Sequence, residues 1–342
     1  MSKTYWQVAA GSIGRNYDDL FLKFGMAFVG GKKQIETMKQ VSAGDIILLK
    51  RGVSKVVAAG EVVERDGRYK GNAEKDDKHW LRDFDGWDLS AYCYVDWHVP
   101  KEPSETNGLT RATIQRVHQN KHKEIADFLL VDRPVRPYKP EPSPTSPISD
   151  EAILKFLIHE GLRPSAADEL TSTLRRIRLL ADYYFNLPTK EKGIRWEDIR
   201  EHEVVAFLII PLLLALGWAE QQIKIEFPCS KGRIDIACFA RVFRKKNDEC
   251  VLIIEAKDFA SGLDYAPAQA LRYAQDFPSC QVIVVSNGYC YKTYVRCEDN
   301  AFSLNPSAYL NLRNPQNKYP LDPDNVGGAL QVLKRLLPMT LK

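Results

Sequence analysis

The sequence predicts a two-domain α/β protein in which a small mixed β-barrel with peripheral helices precedes an α/β domain that opens with helices. Three observations support this prediction. The chain has 342 residues, a length that suits two domains better than one. Short strand-like segments lie before a proline-rich segment in the middle of the chain. After that segment, helical patterns give way to an alternation of strand-like and helical segments.

The proline-rich segment marks the predicted domain boundary. Six prolines lie between Arg133 and Pro147. Proline has no backbone N–H and a fixed φ, so this density of prolines excludes a helix or a central strand and favours a stiff, extended linker. We therefore expect a first domain at residues 1–132, a linker at residues 133–147 and a second domain at residues 148–342.

In the first domain, runs of β-branched and aromatic residues bounded by Gly, Asp or Lys predict strands. These runs are residues 6–10, 45–49, 55–64 and 91–98. Short helices are predicted at residues 17–23, 35–40 and 110–120.

In the second domain, apolar residues spaced by three and four positions predict a long first helix. They are Leu170, Leu174, Ile177, Ala181 and Tyr184. A second helix is predicted from about Trp196 to Leu216, with a kink at Pro211 and an end at Gly217. A mixed sheet follows, with strands at residues 224–227, 233–242, 250–256, 281–286 and 291–296 and a helix at residues 266–274.

Composition and charge restrict the function only loosely. The chain is 27% charged and 44% hydrophobic, with a formal net charge of +4, which suits a nucleic-acid enzyme and many other soluble proteins. Its seven cysteines form no Cys-x-x-Cys pair, which indicates reduced thiols and no zinc site. The most apolar stretch, Val204–Ala219, is shorter than the roughly 20 residues of a membrane span. We therefore expect a cytoplasmic protein with no signal peptide and no membrane partner.

Three charged residues in two apolar strands carry the chemistry: Asp235, Glu255 and Lys257. Residues two apart in a strand share a face, so Glu255 and Lys257 point the same way. The polar turn Lys245–Asp248 lies midway between the strands. A hairpin around this turn would place Asp235 opposite Glu255 or Lys257, at a distance of about 5 Å.

Two carboxylates and an ammonium inside apolar strands are costly unless their charge is compensated. A divalent cation between Asp235 and Glu255 would compensate it. Mg²⁺, with Mn²⁺ as a substitute, takes oxygen ligands and keeps waters, one of which could act as a nucleophile. Lys257 would orient or help deprotonate that water and stabilise the developing charge. The alternative is a structural salt bridge, which Glu-x-Lys alone would favour; Asp235 on a paired strand favours the nuclease chemistry.

The pattern of Asp235 followed by Glu255-Ala-Lys257 resembles the PD-(D/E)XK nuclease superfamily. Residues 195–296 resemble, more closely, the nuclease domain of type I restriction-enzyme motor subunits. One departure is that Gly232-Arg-Ile precedes the aspartate, so the literal Pro-Asp is absent. The resemblance implies a restriction-endonuclease-like α/β fold and Mg²⁺-dependent hydrolysis of phosphodiester bonds.

The same resemblance implies further site residues. The segment Glu201–Trp218 is similar to the first core helix of the family, which contributes an acidic metal ligand. Either Glu201 or Glu203 fills that role, and Glu203 is preferred because it lies closer to the apolar run. Gln269-Ala-Leu-Arg-Tyr273 is similar to the Q-x-x-x-Y element beside the active site, where Gln269 is the stronger candidate. The alternatives are a helix-dipole partner for the glutamates and a packed helix face for Gln269 and Tyr273.

The first domain resembles the PUA-like group that includes EVE and YTH domains. The similar segments are Tyr5–Gly11, Gly25–Gly31, Ala43–Leu49, Val57–Val62 and Val95–Trp97. Such domains bind a modified base that is flipped into an aromatic pocket. The candidate walls here are Trp6, Tyr17, Phe28, Trp80, Trp87 and Trp97. The candidate phosphate contacts are Lys23, Lys32, Lys33, Lys50, Arg51 and Lys55.

Most of these aromatic residues are equally suited to a hydrophobic core. Trp80 and Trp87 lie in a charged, glycine-containing segment, so they are the preferred pocket candidates. Asp83 and Asp85 in that segment could hydrogen-bond a base edge or be solvated loop residues, and the second interpretation is preferred.

Together, these patterns predict a two-domain DNA endonuclease. Its first domain would read a modified base and its second would cut, which suits modification-dependent restriction in prokaryotic defence. The expected partner is DNA, with or without modified bases, and a homodimer would allow both strands to be cut. Two alternatives are a nuclease for unmodified DNA or RNA with a docking module, and a non-catalytic nucleic-acid-binding protein. The chain has no Walker A motif and therefore no helicase motor.

Overall fold

The computed structural model describes residues 3–11, 16–187, 198–244, 249–264 and 266–341. It confirms a mixed α/β protein. The chain divides into two compact units, Met1–Pro142 and Ser143–Lys342, and this boundary falls inside the proline-rich segment.

The first unit is built on a curled half-barrel sheet of eight strands. The strands are β1 (Tyr5–Ala9), β2 (Met26–Val29), β3 (Ile46–Arg51), β4 (Lys55–Val62), β5 (Lys70–Asn72), β6 (Ala91–His98), β7 (Ser104–Glu105) and β8 (Ile114–Arg116). The main order is β2-β6-β4-β3-β1-β8, with β5 on β6 and β7 on β4. The helices are α1 (Asp18–Phe24), α2 (Lys32–Met38), α3 (His79–Arg82) and α4 (Asn120–Asp132). The predicted mixed character is present, because β1 and β3 are parallel whereas β3 and β4 are antiparallel.

The predicted helix at residues 110–120 is wrong. This segment instead contains β8, and α4 begins only at Asn120. The outer edge of β1 offers backbone groups that must be paired: Ala9 N–H donates to Thr113 O, and Val117 N–H donates to Tyr5 O, both at 2.7 Å. Pairing with this edge therefore outweighs the local helical pattern.

The proline-rich segment is extended, as its composition predicts, but it is not free of the units. In the first unit, Arg136 N–H donates to Trp97 O and Lys139 N–H donates to Lys23 O, both at 2.7 Å. Glu141 accepts a hydrogen bond from Trp80 Nε1 at 3.0 Å and forms an ion pair with Lys78. Residues 133–142 are thus a strap on the first unit.

The remaining part of the segment belongs to the second unit. Asn317 N–H donates to Ser146 O at 2.9 Å, and Ser146 N–H donates to the Asn317 side chain at 2.9 Å. The division between the two compact units falls after Pro142, inside the predicted linker of residues 133–147.

The second unit begins with helices and then forms a six-stranded sheet. Its helices are α5 (Asp150–His159), α6 (Ala167–Phe185), α7 (Glu201–Val204), α8 (Ile210–Ala215), α9 (Ala266–Ala274) and α10 (Ala329–Leu336). Its strands are β9 (Ile223–Cys229), β10 (Gly232–Phe239), β11 (Cys250–Ala256), β12 (Val282–Ser286), β13 (Cys290–Val295) and β14 (Ala308–Asn311). The order is β14-β13-β12-β11-β10-β9, and only β11 and β12 are parallel among the paired neighbours of these described strands.

The apolar stripe predicted for the first long helix is confirmed, because all five of its residues are buried in α6. The second predicted helix is interrupted. A π-helical segment, Val205–Ile209, separates α7 from α8 and comes directly before Pro211. Proline removes a helical N–H and its ring needs room, which explains the irregularity. Gly217 ends the helix with φ +98°, and Trp196 lies outside the described residues.

The register of β10 and β11 sets the position of the charged residues. These antiparallel strands pair Ile236 with Ile254, and continuing this register by one residue places Asp235 opposite Glu255. The predicted hairpin is therefore present, and its turn, Lys245–Asp248, lies outside the described residues.

The strap gives a test of the first unit. We expect Glu141→Gln to lower the free energy of unfolding of this unit by about 1–3 kcal/mol, because the ammonium of Lys78 loses its charged acceptor. Denaturant unfolding followed by tryptophan fluorescence measures this effect. Glu124→Gln, a matched change on the exposed side of α4, serves as the control. Equal stability of the two variants would contradict a structural role for the strap.

Candidate active site

Asp235 and Glu255 bring two carboxylates together at one end of the sheet. Both side chains are buried, and Glu255 has 0% relative exposure. Asp235 Oδ2 accepts a 2.7 Å hydrogen bond from the backbone N–H of Ala256. Asp235 lies on β10 and Glu255 on β11. This bond therefore holds the Asp235 carboxylate against the end of the neighbouring strand, next to Glu255.

Lys257 completes the predicted trio. It follows β11 by one residue, and its Nζ lies 2.5 Å from Glu255 Oε1 and 3.7 Å from Glu201 Oε2. The backbone N–H of Lys257 donates to Ser286 O at 2.9 Å, so the end of β12 holds this residue in place. Asp235, Glu255 and Lys257 therefore lie together, with Glu201 as a fourth member.

The glutamate that joins the cluster is Glu201, which corrects the preference for Glu203. Glu203 is turned back toward its own helix, where its Oε2 accepts a 3.0 Å hydrogen bond from the backbone N–H of Arg200. It caps the start of α7 and leaves the approach to Lys257 to Glu201. The alternative interpretation, in which the glutamate caps the start of its own helix, is thus correct for Glu203.

Asp258 is a residue that the sequence analysis missed. Its Oδ1 accepts a 3.0 Å hydrogen bond from the backbone N–H of Glu201, and its Oδ2 lies 3.2 Å from Arg200 Nη1. Asp258 therefore ties the start of α7 to the loop after Lys257. Its position directly after Glu-Ala-Lys was the only available signal.

Burial dominates the electrostatics of the cluster. Burial, followed by the charge of Asp235, raises the pKa of Glu255 to about 7. The same two causes raise the pKa of Glu201 to about 6. Burial also raises the pKa of Asp235. These shifts mean that the cluster holds more negative charge than its surroundings stabilise.

Lys257 is affected in the opposite sense. Burial by itself would lower the pKa of its ammonium, but the hydrogen bond and charge of Glu255, together with the charges of Glu201 and Asp235, raise it. Lys257 is therefore a cation at neutral pH. One ammonium is set against three carboxylates.

The carboxylate oxygens of the cluster are the type of ligand atom that a hard divalent cation such as Mg²⁺ prefers. Glu255 Oε2 is buried and has no hydrogen-bond partner among the described residues. Buried oxygens of this type are normally satisfied, so this atom is an available ligand. Within the described part of the chain, however, no three Asp, Glu, His or Cys side chains form a ready-made metal-binding group. The other oxygen of Glu255 accepts a hydrogen bond from the ammonium of Lys257.

Gln269 lies in α9, and its hydrogen-bond partner is Tyr273 rather than one of the carboxylates of the cluster. Its Nε2 donates a 3.1 Å hydrogen bond to the hydroxyl of Tyr273. The Tyr273 ring packs against Gly232, where a β-carbon would lie 3.1 Å from the hydroxyl oxygen. Gln269 and Tyr273 therefore pack over the start of β10, three residues before Asp235.

The candidate aromatic walls of the first unit are mostly core residues. Those that are buried are Trp6, Tyr17, Phe28, Trp80 and Trp97. Trp6 Nε1 donates to Asp45 at 2.9 Å and Trp97 Nε1 donates to Phe21 O at 3.1 Å, so both indole N–H groups are used inside the fold. Their proposed role as pocket walls is corrected by this burial.

Trp80 is the clearest correction. It is only 5% exposed and lies among the rings of Phe24, Phe28 and Phe84, with centroid distances of 4.8, 5.7 and 6.1 Å. Its charged sequence neighbours suggested an exposed loop, but the short helix α3 turns the ring inward. Trp87 alone among the six keeps partial exposure.

Asp83 and Asp85 are buried rather than solvated, which corrects the loop interpretation. Asp83 Oδ1 accepts a 3.0 Å hydrogen bond from Gly86 N–H. Asp85 and Gly86 both have positive φ, +52° and +85°, as the centre of a type I′ turn requires. The Asp-Gly dipeptide was the sequence signal for this tight turn, which leads into Trp87.

The proposed phosphate contacts also need one correction. Lys50 is only 3% exposed, and its Nζ donates to Gly52 O at 3.1 Å. It is therefore withdrawn from the surface. The other five candidates remain at least partly exposed.

Comparisons of the chain with known protein families, with curated proteins and with solved structures find no match. None of the helices in the described part of the chain combines the length and the apolar character needed to cross a membrane.

The raised pKa values predict an unusual pH dependence of stability. A carboxyl group whose pKa is higher in the folded state binds its proton more tightly there, so its stabilising effect is full below the unfolded pKa and is lost as pH rises through the folded one. For Glu255 this window runs from 4.5 to about 7. We expect the metal-free second unit to lose about 1–3 kcal/mol of unfolding free energy between pH 4.5 and pH 8.

Denaturant unfolding in EDTA at a series of pH values tests this expectation. Glu255→Gln should flatten the dependence, because glutamine does not titrate. Glu298→Gln, at an exposed position, should leave it unchanged. A wild-type stability that rises with pH across this window would show that the cluster is not destabilised by its own charge.

Proposed function

We propose that the second unit is a metal-dependent endonuclease that hydrolyses phosphodiester bonds in DNA. The observation that carries this proposal is the facing pair Asp235 and Glu255 beside Lys257, in which Glu255 is fully buried with one oxygen that has no partner among the described residues. The resemblance of residues 195–296 to PD-(D/E)XK nucleases supports it.

The proposed metal ligands are the carboxylates of Asp235, Glu255 and Glu201. All three supply oxygen atoms, which Mg²⁺ and Mn²⁺ accept. When bound, the cation would neutralise charge on a phosphate and make a water more acidic. Burial, followed by the charge of Asp235, raises the pKa values of Glu255 and Glu201, and the cation would offset both effects.

The residues of the chain have distinct tasks in this proposal. The backbone N–H of Ala256 holds the Asp235 carboxylate in a fixed orientation. Asp258 holds the start of α7, and through it Glu201, near the cluster. Lys257 is a cation at the same end of the sheet, where it would stabilise the negative charge that develops on an attacked phosphate.

A purely structural salt bridge explains this site less well. A structural pair needs one carboxylate for one ammonium, whereas Lys257 faces Glu255, Glu201 and Asp235. Excess buried negative charge is destabilising unless a cation balances it. Such an excess is typical of functional sites, where stability is given up for binding.

For the first unit, we propose recognition of a modified base. In this proposal the complete protein acts in modification-dependent restriction, and a homodimer would cut both strands. Support for a reader now rests on Trp87, since the other five candidate walls lie in the core. The burial of these five residues is the observation behind a second candidate, in which the first unit is a docking module and the nuclease acts on unmodified DNA or RNA.

The active-site assignment predicts a graded set of losses. Asp235→Asn, Glu255→Gln and Lys257→Met should each reduce Mg²⁺-dependent cleavage at least about 100-fold, because each removes a metal ligand or the local cation. Cleavage of a labelled duplex with Mg²⁺ or Mn²⁺ measures this. Each variant should still fold, as judged by circular dichroism.

A matched pair distinguishes the two glutamates of α7. Glu201→Gln should lose activity at least about tenfold, because it removes a carboxylate of the cluster. Glu203→Gln should keep most activity, because that side chain only caps the helix. Equal activity of Glu255→Gln and wild type would refute the nuclease site, and the reverse order for the glutamates would refute the role given to Glu201.

The reader hypothesis makes a separate prediction. In an Asp235→Asn background, which prevents cutting, Trp87→Ala should weaken binding to a duplex with a modified cytosine about tenfold, because one stacking surface is lost. Trp80→Ala should instead destabilise the first unit by about 3–5 kcal/mol. Fluorescence anisotropy with unmodified, methylated, hydroxymethylated and glucosylated duplexes measures affinity. Equal affinity for all four duplexes would favour the docking module.

A further inference from the structure

A cavity of about 490 Å³ lies in the second unit, at the opposite end of the sheet from the carboxylates. It is bounded by the start of β12 at Val282, the end of β13 at Val295 and Arg296, and the side of α10. The parallel pairing of β11 and β12 places Val282 beside Leu252 and Val285 beside Glu255. Three residues of strand, or about 10 Å, therefore separate the cavity's edge of the sheet from Glu255.

The lining of this cavity has an unbalanced charge. It contains Arg296, Lys334 and Arg335 but no aspartate or glutamate. Lys334 forms an ion pair with Glu160 at 2.7 Å. Neither guanidinium has a carboxylate partner among the described residues, so two positive charges at the cavity are uncompensated there.

The two arginines are held by neutral groups and are thereby fixed in place. Arg296 donates to backbone oxygens, including Cys280 O at 2.6 Å and Asn300 O at 2.9 Å. Arg335 Nη1 donates to the hydroxyls of Thr293 and Ser307, each at 2.8 Å. These two hydroxyls lie 3.1 Å apart, so they anchor one end of the Arg335 guanidinium firmly.

The rest of the Arg335 guanidinium is available. Its Nε and Nη2 groups have no acceptor among the described residues, although they form the edge that suits a bidentate oxyanion. Burial lowers the pKa of Arg335, which reflects the cost of a partly buried charge without a counter-ion. An anion in the cavity would remove that cost.

We propose that this cavity is a second binding site, for a small organic phosphate of about the size of a mononucleotide. Arg335 would hold the phosphate through its free edge. Lys334, whose charge is partly balanced by Glu160, would add a further donor at the rim. Val282, Val295 and Leu341 supply an apolar wall for the organic part of the ligand. The volume is within the range of roughly 300–1,000 Å³ that is usual for small-molecule sites.

This assignment is independent of the proposed nuclease. The cavity uses other residues and lies at the other end of the β-strands. Its proposed ligand is therefore a separate molecule and not a phosphate of a nucleic acid bound at Glu255. A concave, partly apolar cavity also suits a small ligand better than the continuous backbone of a nucleic acid, which is usually followed by an exposed basic groove.

Isothermal titration calorimetry of the full chain in EDTA tests the proposal with AMP, inorganic phosphate and adenosine as probes. We expect saturable 1:1 binding of AMP and no binding of adenosine, because the phosphate makes the main contact. Arg335→Gln should weaken AMP binding at least tenfold. Arg176→Gln, a matched change on an exposed part of α6, should have no effect.

A second variant, Lys334→Gln, keeps the test informative if Arg335→Gln fails to fold. Arg335 also bonds two hydroxyls inside the fold. The Lys334 side chain is 45% exposed, so we expect its replacement to leave the fold intact. Lys334→Gln should weaken AMP binding several-fold. Binding of inorganic phosphate as tight as that of AMP, and equally sensitive to both substitutions, would support the anion site and identify free phosphate as sufficient.

Three results would overturn the proposal. They are no saturable binding of AMP or phosphate at millimolar concentration, equal binding of AMP and adenosine, and AMP binding that neither substitution changes. Binding of a duplex oligonucleotide that is lost in Arg335→Gln, without binding of AMP or phosphate, would also overturn it and assign the cavity to a nucleic-acid backbone.

Discussion

The antiparallel register of β10 and β11 is the constraint on which the candidate site depends. Pairing Ile236 with Ile254 sets Asp235 against Glu255, and a shift of one residue would turn one of these carboxylates to the other face of the sheet. Both strands are almost entirely buried, so the register is fixed by the apolar residues on either side. A hydrophobic pattern thus determines the position of the charged groups.

Burying these carboxylates together is electrostatically unfavourable. Burial raises the pKa values of Glu255 and Glu201, and one ammonium is present for three carboxylates. A chain selected for stability alone would place an apolar residue at Glu255, which is fully buried. Lys257, held by the end of β12, and Asp258, which ties down α7, are the supports that make such a site rigid enough to act.

The sequence was sufficient where a local pattern and the tertiary structure agree. The apolar stripe of α6 follows directly from periodicity, and the predicted bounds of β11 and α9 agree with the structure. The approach of Asp235 to the end of β11 follows from the predicted antiparallel pairing of the two strands. The sequence was insufficient where the same residue type can lie either in the core or in a functional site. Trp80 has charged neighbours yet packs among phenylalanines, and Glu203 differs from Glu201 only in where a helix start turns it. These choices depend on contacts between distant segments, which periodicity does not encode.

The six-stranded sheet of the second unit sorts charge along its strands. Carboxylates gather where β11 ends, whereas the uncompensated guanidinium groups of Arg296 and Arg335 lie where β12 begins and β13 ends. The strands between these ends are apolar, so neither group neutralises the other through a direct contact among the described residues. Each end therefore favours a ligand of opposite sign: a cation at Glu255 and an anion at Arg335.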